Sequence, residues 1–492
     1  MEEIGQPRRT LVAALAVASF VAAAGSSWLA SPFAIDDAFI SIRYARHLAD
    51  GAGYVWNVGG PSTDGVTPLP WAFLLEPMAG ASPVVVLGRA KLAGALVWTL
   101  TATFWGGAIG RIEAPTWSKV FAVALLAANV PVMAHSASGM ETSFAMALAT
   151  LAALQDKRPR LAALFAGLAA SLRPELVVWS VTLAAGFVWA SHAYVTPSDG
   201  DAIARDRSVS RARPMFGAAF VAALPFVLCA AARLVAFGRP APLSVIAKPS
   251  DFAHGLAYAG AAAVLSLAPL VLMAPVAIAR ERGPAAVLVL AALAHFAVII
   301  AVGGDWMPYA RLVAPIVPAM LVAFVRLAPS GRLSCHLLRA TAAVGCALWL
   351  TPGSVRTLRR AGEERARMIE VARPLLASAK RIAALDIGWV SAISEATIID
   401  LAGVTDPEVA VLGGGHTSKR ITPAFLLANA PDVAVFYADP LPSSPDAVDV
   451  DAFPRVVEAR LVRAELFATH FAPTALLPLG ERGAGYVIYS KR

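Results

Sequence analysis

Long stretches without an ionisable side chain alternate along this chain with short clusters of charge. The first stretch runs from Thr10 to Ile35, directly after Arg8 and Arg9. Crossing a bilayer takes about 20 apolar residues, so this run predicts a membrane helix. It is too long for a signal-peptide core and lacks a small-residue cleavage site before Asp36, which predicts a retained helix. Further uncharged runs at 92–110, 120–140, 142–155, 176–198, 214–232, 252–279, 283–304, 312–325 and 340–355 predict more helices of the same kind. Residues 161–191 are apolar except for Arg173-Pro174-Glu175 in the middle. They read as two short helices turning at Pro174, a break found where backbone lines a cavity rather than lipid. The length rule then gives about 11 membrane helices.

Charge fixes the orientation. Arg8 and Arg9 place the N-terminus inside by the positive-inside rule, so Asp36 and Asp37 fall outside. The inside loops then hold Arg111 with Lys119; Lys157, Arg158 and Arg160; Arg205, Arg207, Arg211 and Arg213; Arg280 with Arg282; and Arg326, Arg332 and Arg339. One kinked helix over 161–191 would send the arginine-rich loop 192–213 outside, whereas two helices keep it inside. Thr196–Arg213, rich in Ser, Asp and Arg, reads as a disordered inside loop. After Thr351 the pattern changes to a charged amphipathic stretch over 356–381, then to β-rich runs such as Ala396–Leu401 and Val433–Tyr437. The expected organisation is a membrane domain over 1–351, with an outer loop at 32–89, and a soluble α/β domain over 352–492 on the outer side.

Composition agrees with the pattern. Of 492 residues, 58% are hydrophobic and 15% charged, against about a quarter charged in soluble domains. Mean hydropathy is +0.65. The net charge of +8 sits in single basic residues between apolar runs, which argues against a nucleic-acid-binding face. Cys229, Cys335 and Cys346 lie in or beside apolar segments, so neither a disulfide framework nor a cysteine metal site is on offer.

The outer segments gather acids and bases: Asp36, Asp37, Arg43, Arg46, Asp64, His135, Glu141, Arg173, Glu175, Arg239, Lys248, Asp305 and Arg311. Adjacent carboxylates at a membrane edge are costly unless solvated or used. Asp36 and Asp37 therefore read either as caps of the next helix or as chemistry. Gly51, Gly53, Gly59, Gly60 and Gly65 divide the first outer loop, and Tyr54, Trp56 and Trp71 suit an interfacial belt. Arg and Lys beside carboxylates suit transfer from a lipid-phosphate donor. The cations hold the phosphate leaving group, and a carboxylate takes the proton of the attacking hydroxyl. No Walker loop, dinucleotide fingerprint or HExxH motif is present in the chain.

The motifs DDAFISIRYARHLADGAGYVWN at 36–57, TDGVTPLPW at 63–71, SGMETSFAMAL at 138–148, LRPE at 172–175, PLSVIAK at 242–248, GGDWMPYARLVAPIVP at 303–318 and IDLAGVTDPEVA at 399–410 run in one order along the chain. In that order they resemble the GT-C superfamily of membrane glycosyltransferases. The nearest group is the arabinofuranosyltransferases that use a polyprenyl-phosphate (decaprenyl-phosphoryl) donor, with their bacterial relatives. The resemblance implies an α-helical polytopic GT-C fold in the bacterial cytoplasmic membrane, with the first outer loop over the active site. It implies inverting transfer of a glycosyl residue from a polyprenyl-phosphate sugar to an envelope glycan or lipid acceptor on the outer face.

Residue by residue, the resemblance makes Asp36 or Asp37 the general base and Arg173, Lys248 and Arg311 the donor-phosphate ligands. Arg43, Asp64, His135, Glu141, Glu175 and Asp305 would support them. Arg173 reads equally as the salt-bridge partner of Glu175 or another buried acid, and His135 as a packed or capping histidine. No cofactor is required, though a divalent metal bridging carboxylates and phosphate is compatible with the residues. The chain departs from the family pattern at Asp64 and Val66, before Lys248, and at Ala310, so the sugar stays open. A transporter or flippase of lipid-linked sugars is the alternative from another class. It would place charges near helix centres and would not need a long first outer loop.

Overall fold

The computed structural model describes residues 5–193, 203–267, 283–330, 332–480 and 483–492. The apolar run at 252–279 from residue 268 on, Arg280, Arg282 and residues 196–202 of the arginine-rich loop lie outside the described residues. Among the described residues the chain is mostly helical, with one five-stranded sheet near its C-terminus.

Among the described residues six helices are long and apolar enough to cross a membrane: Arg9–Ala30, Pro83–Arg111, Pro174–Ser191, Ala212–Phe237, Pro284–Val302 and Leu333–Leu376. The helices Thr116–Ala127 and Val130–Ser136 meet at a 54° bend and would together make a seventh span. The bend follows from local chemistry. Asn129 caps the second helix by accepting from the Val132 N–H at 3.1 Å, and Pro131 near its start lacks an N–H to continue the first. Shorter apolar helices occupy Thr142–Ala153, Pro159–Leu172, Phe252–Ser266 and Ala314–Leu327.

One difference from the sequence expectation lies in the arginine-rich segment, where residues 203–213 open the helix Ile203–Phe237 instead of a disordered loop. Alanine and arginine, both strong helix formers, outweigh the serines there. A second lies at the composition change after Thr351. A single helix, Leu333–Leu376, runs through it unbroken.

Contacts divide the chain into two compact units. The first comprises residues 1–31, 91–229 and 250–358, and the second residues 32–90, 230–249 and 359–492.

In the first unit alanine-rich helix faces close around Trp98, Trp105 and Trp179, all fully buried. Small residues let the helix backbones approach closely. At Gly106 an added Cβ would meet Leu15 O at 2.5 Å, and at Gly110 it would meet Val12 Cα at 3.0 Å. The apolar stretch around Pro174 is broken. Arg173 takes extended torsions (φ −135°, ψ 91°) between the helix Pro159–Leu172 and a single 3-10 turn at Pro174–Leu176. The helix Val177–Ala193 then packs back on Pro159–Leu172, and Ser180 Oγ donates to Ala166 O at 2.7 Å.

The second unit is built on the sheet. Its strands are β1 (Arg381–Ala384), β2 (Thr397–Asp400), β3 (Val433–Ala438), β4 (Phe471–Pro478) and β5 (Gly485–Lys491), in the order β2-β1-β3-β5-β4. The first three are parallel, and β5 runs antiparallel to β3 and β4. Ile382, Ile398, Val435, Phe436, Val487 and Ile488 fill the core. β2 and β3 fall where the β-rich runs were expected.

Residues 32–90 and 230–249 pack onto this sheet domain. Gly65 is required by close approach: a Cβ there would lie 2.5 Å from Thr405 Cγ2 and 2.9 Å from Val404 O. Trp56 and Trp71 are 3% and 1% exposed, so they belong to the core of this unit rather than to an exposed interfacial belt. The aromatic rings pack on one another, with Tyr44 and Tyr54 centroids 4.7 Å apart and Tyr54 stacked on Phe73 at 5.6 Å. Mutual packing in the glycine-divided loop buries more apolar surface than anchoring would.

Candidate functional site

The expected site residues fall in both units. Asp36, Asp37, Arg43, Asp64 and Lys248 belong to the second; His135, Glu141, Arg173, Glu175, Asp305 and Arg311 belong to the first.

In the second unit the acidic pair opens the helix Asp37–Ala49. Asp36 occupies its N-cap position, yet its side chain makes no capping bond to that helix. It turns instead to the start of the helix Ile387–Ile393, which follows β1. Its Oδ2 accepts from Gly388 N at 3.0 Å, and its Oδ1 accepts from Trp389 N at 2.8 Å and from Arg365 Nη1 at 3.0 Å. Those backbone N–H groups are the orphan donors at the start of the helix Ile387–Ile393, so Asp36 caps a helix some 350 positions away in the chain.

Burial pushes the Asp36 carboxyl up to about 6, opposed by Arg365 and assisted by Asp386 and Asp37. Asp386 carries its own partners. Its Oδ2 accepts from Arg455 Nη2 at 2.8 Å and from the Tyr486 hydroxyl at 2.7 Å. Its carboxyl is held below the ordinary range: burial pushes it up, and Arg455 and Tyr486 more than reverse that. Arg455 also lies over the Tyr437 ring, 4.7 Å from the centroid.

Asp37 differs from its neighbour. In the first turn of the helix, its carboxylate accepts no hydrogen bond from another described residue. The helix dipole favours a negative charge at that place.

The remaining expected residues of this unit are structural or free. Arg43, 4% exposed, donates to Trp56 O at 2.8 Å, Ala396 O at 2.9 Å and Ser394 O at 3.1 Å. It ties the aromatic loop to the segment before β2. Asp64 Oδ2 accepts from Arg233 Nε at 2.5 Å, and Arg233 Nη2 also donates to Thr67 O at 2.6 Å. Lys248 makes no hydrogen bond or ion pair with another described residue.

In the first unit the acids and bases have found one another. Arg173 Nη1 pairs with Glu141 Oε1 at 2.9 Å, and Arg173 Nε donates to Glu175 Oε1 at 2.7 Å. Glu141 is fully buried. Arg311 Nε pairs with Asp305 Oδ2 at 2.8 Å. The loop before Arg311 holds Tyr309 (φ 62°) and Ala310 (φ 48°) in left-handed backbone, at a cost of about 1–3 kcal/mol each. That turn leaves Leu312 N to the Tyr258 hydroxyl (3.2 Å) and Leu312 O to His295 Nε2 (2.8 Å). His135 is fully buried in the helix Val130–Ser136.

Sequence reasoning missed Arg233, Arg365, Asp386, Arg455 and Tyr486. Arg233 carried a signal, since a lone charge closing an apolar run needs a partner. Arg365 carried none, being one of several arginines on a charged helix. Among the described residues no group of three or more His, Cys, Asp and Glu side chains is arranged to hold a metal ion.

Residues 356–489 match a family model described as a domain of unknown function, DUF8728. No curated protein matches the chain.

Proposed function

We propose that this protein is a polytopic membrane glycosyltransferase of GT-C type. It takes a glycosyl residue from a polyprenyl-phosphate donor and passes it to an envelope glycan or lipid acceptor on the outer face of the bacterial cytoplasmic membrane. The observation that carries the reading is the division of labour in the acidic pair. Asp36 is fully engaged by three N–H donors, while Asp37, next to it on the same unit, has its carboxylate available. A general base needs an oxygen that is not already committed.

In this reading Asp37 takes the proton of the acceptor hydroxyl as its oxygen attacks the anomeric carbon. The bond from that carbon to the phosphate oxygen breaks, and polyprenyl phosphate leaves with the bonding pair. Lys248 is the phosphate ligand, because the other expected cations, Arg173 and Arg311, are each paired with acids of their own unit. Those acids and bases sit at helix ends and in loops rather than at helix centres, which favours an enzyme with an edge site over a transporter with a midplane site. The apolar helices support a membrane location, and the positive-inside pattern supports an N-terminus inside with the C-terminal domain outside. About 11 spans and the GT-C arrangement belong to the same proposal.

The test is mass spectrometry of envelope glycans from a strain lacking the protein, complemented with wild type or with Asp37→Asn. A glycan that loses a sugar, regains it with wild type and not with Asp37→Asn supports the reading. Unchanged glycans in the deletion strain refute it.

A further inference from the structure

The sheet of the second unit changes direction at β1: the chain proceeds from β1 to β2 on one side and later to β3 on the other. In open sheets with parallel strands, such a reversal leaves a crevice at the carboxyl ends of the strands, where ligands usually bind. The residues there are Asp386 and the start of the helix Ile387–Ile393 after β1, Tyr437 near the end of β3, and Arg455 and Tyr486 beside them. The group seated at this place is the protein's own Asp36 carboxylate, held by Gly388 N, Trp389 N and Arg365. Gly388 is shaped for that guest, because a Cβ on it would meet the Asp36 backbone carbonyl and lie 2.5 Å from Oδ2.

We infer that Asp36 is a positioning residue: its seat in the crevice fixes the start of the helix Asp37–Ala49 and so aims the Asp37 carboxylate. The domain matched by the DUF8728 model is thereby part of the catalytic apparatus, acting through Asp36 and touching neither donor nor acceptor there. The inference rests on the glycosyl-transfer reading for its kinetic consequence, but the seat itself is a structural claim that can be tested without any substrate.

The experiment uses the full-length protein in detergent, with Asp36→Asn, Arg365→Gln, the double variant and Arg365→Lys. Two quantities are measured: hydrogen exchange at 387–393, and transfer from a polyprenyl-phosphate sugar split into kcat and KM. Asp36→Asn and Arg365→Gln should each speed exchange at 387–393 by roughly ten- to a hundredfold, the expected effect of losing a charge-assisted hydrogen bond. Each should lower kcat with donor KM unchanged. The double variant should be no worse than the worse single one, because both remove the same seat. Arg365→Lys, which keeps the charge, should recover part of the loss.

Unchanged exchange in both single variants would overturn the inference. So would transfer abolished by Asp36→Asn with Arg365→Gln silent, since that makes Asp36 the base. If the wild type transfers no sugar, the glycosyl-transfer reading fails, while the exchange data still decide the seat.

Discussion

Two neighbouring aspartates with the same chemistry have different surroundings, and the difference is set by what each carboxylate accepts. Asp36 receives three donors, and Asp37 receives none among the described residues. Replacing Asp37 by Asn should lower transfer by about a hundred- to ten-thousandfold, the usual worth of a general base, with the protein still folded. Arg173 is the opposite case. It neutralises Glu141 and Glu175 where almost no water reaches, so Arg173→Ala leaves buried carboxylates unpaired. A loss of about 3–5 kcal/mol is expected in the denaturation of the detergent-solubilised protein. A variant of unchanged stability would show that Arg173 is free for another ligand. The arginine itself stood out in the sequence beside Pro174, and its pairing with Glu175 was one of two readings open there. Its second pairing, with Glu141 32 positions away, was not legible, because spacing says nothing about which buried acid a turn will face.

At the level of elements, the uncharged runs among the described residues coincide largely with helices, because the apolar pattern has few other solutions in lipid. The helix break at Pro174 was legible for an equally local reason, and so were β2 and β3. The pieces that join distant parts of the chain were hidden. Arg233 reaches Asp64 across 169 positions, and Gly388 receives Asp36 across 352. Nothing periodic announces such a meeting, though a glycine at the start of a short helix is a hint of close approach. Gly388→Ala should therefore displace Asp36, at about 1–3 kcal/mol for overpacking, and should speed exchange at 387–393. Gly88→Ala, in the helix Pro83–Arg111, has no such guest to displace, with nothing within 4 Å of its Cβ, and serves as the contrast for that local effect.

For the molecule as a whole, the sheet domain carries an acid whose burial makes stability depend on pH. Burial pushes the Glu458 carboxyl from 4.5 up to about 8, against the pull of Arg455 and the Tyr437 N–H. Between those values the folded protein holds a proton that the unfolded chain has released. Stability should then rise as pH falls from about 8 toward 4.5, by at most about 1.4 kcal/mol per pH unit, and Glu458→Gln should flatten that slope. Hydrogen exchange in β3 across this range reads the effect, and a slope unchanged in Glu458→Gln would assign it elsewhere. The central claim is chemical, and one measurement addresses it most directly: release of free polyprenyl phosphate by the purified protein in liposomes given a polyprenyl-phosphate sugar and acceptor. The account predicts one polyprenyl phosphate released per sugar transferred with wild type, and both lowered by about a hundred- to ten-thousandfold with Asp37→Asn. Movement of intact donor across the bilayer with no release of polyprenyl phosphate would contradict it.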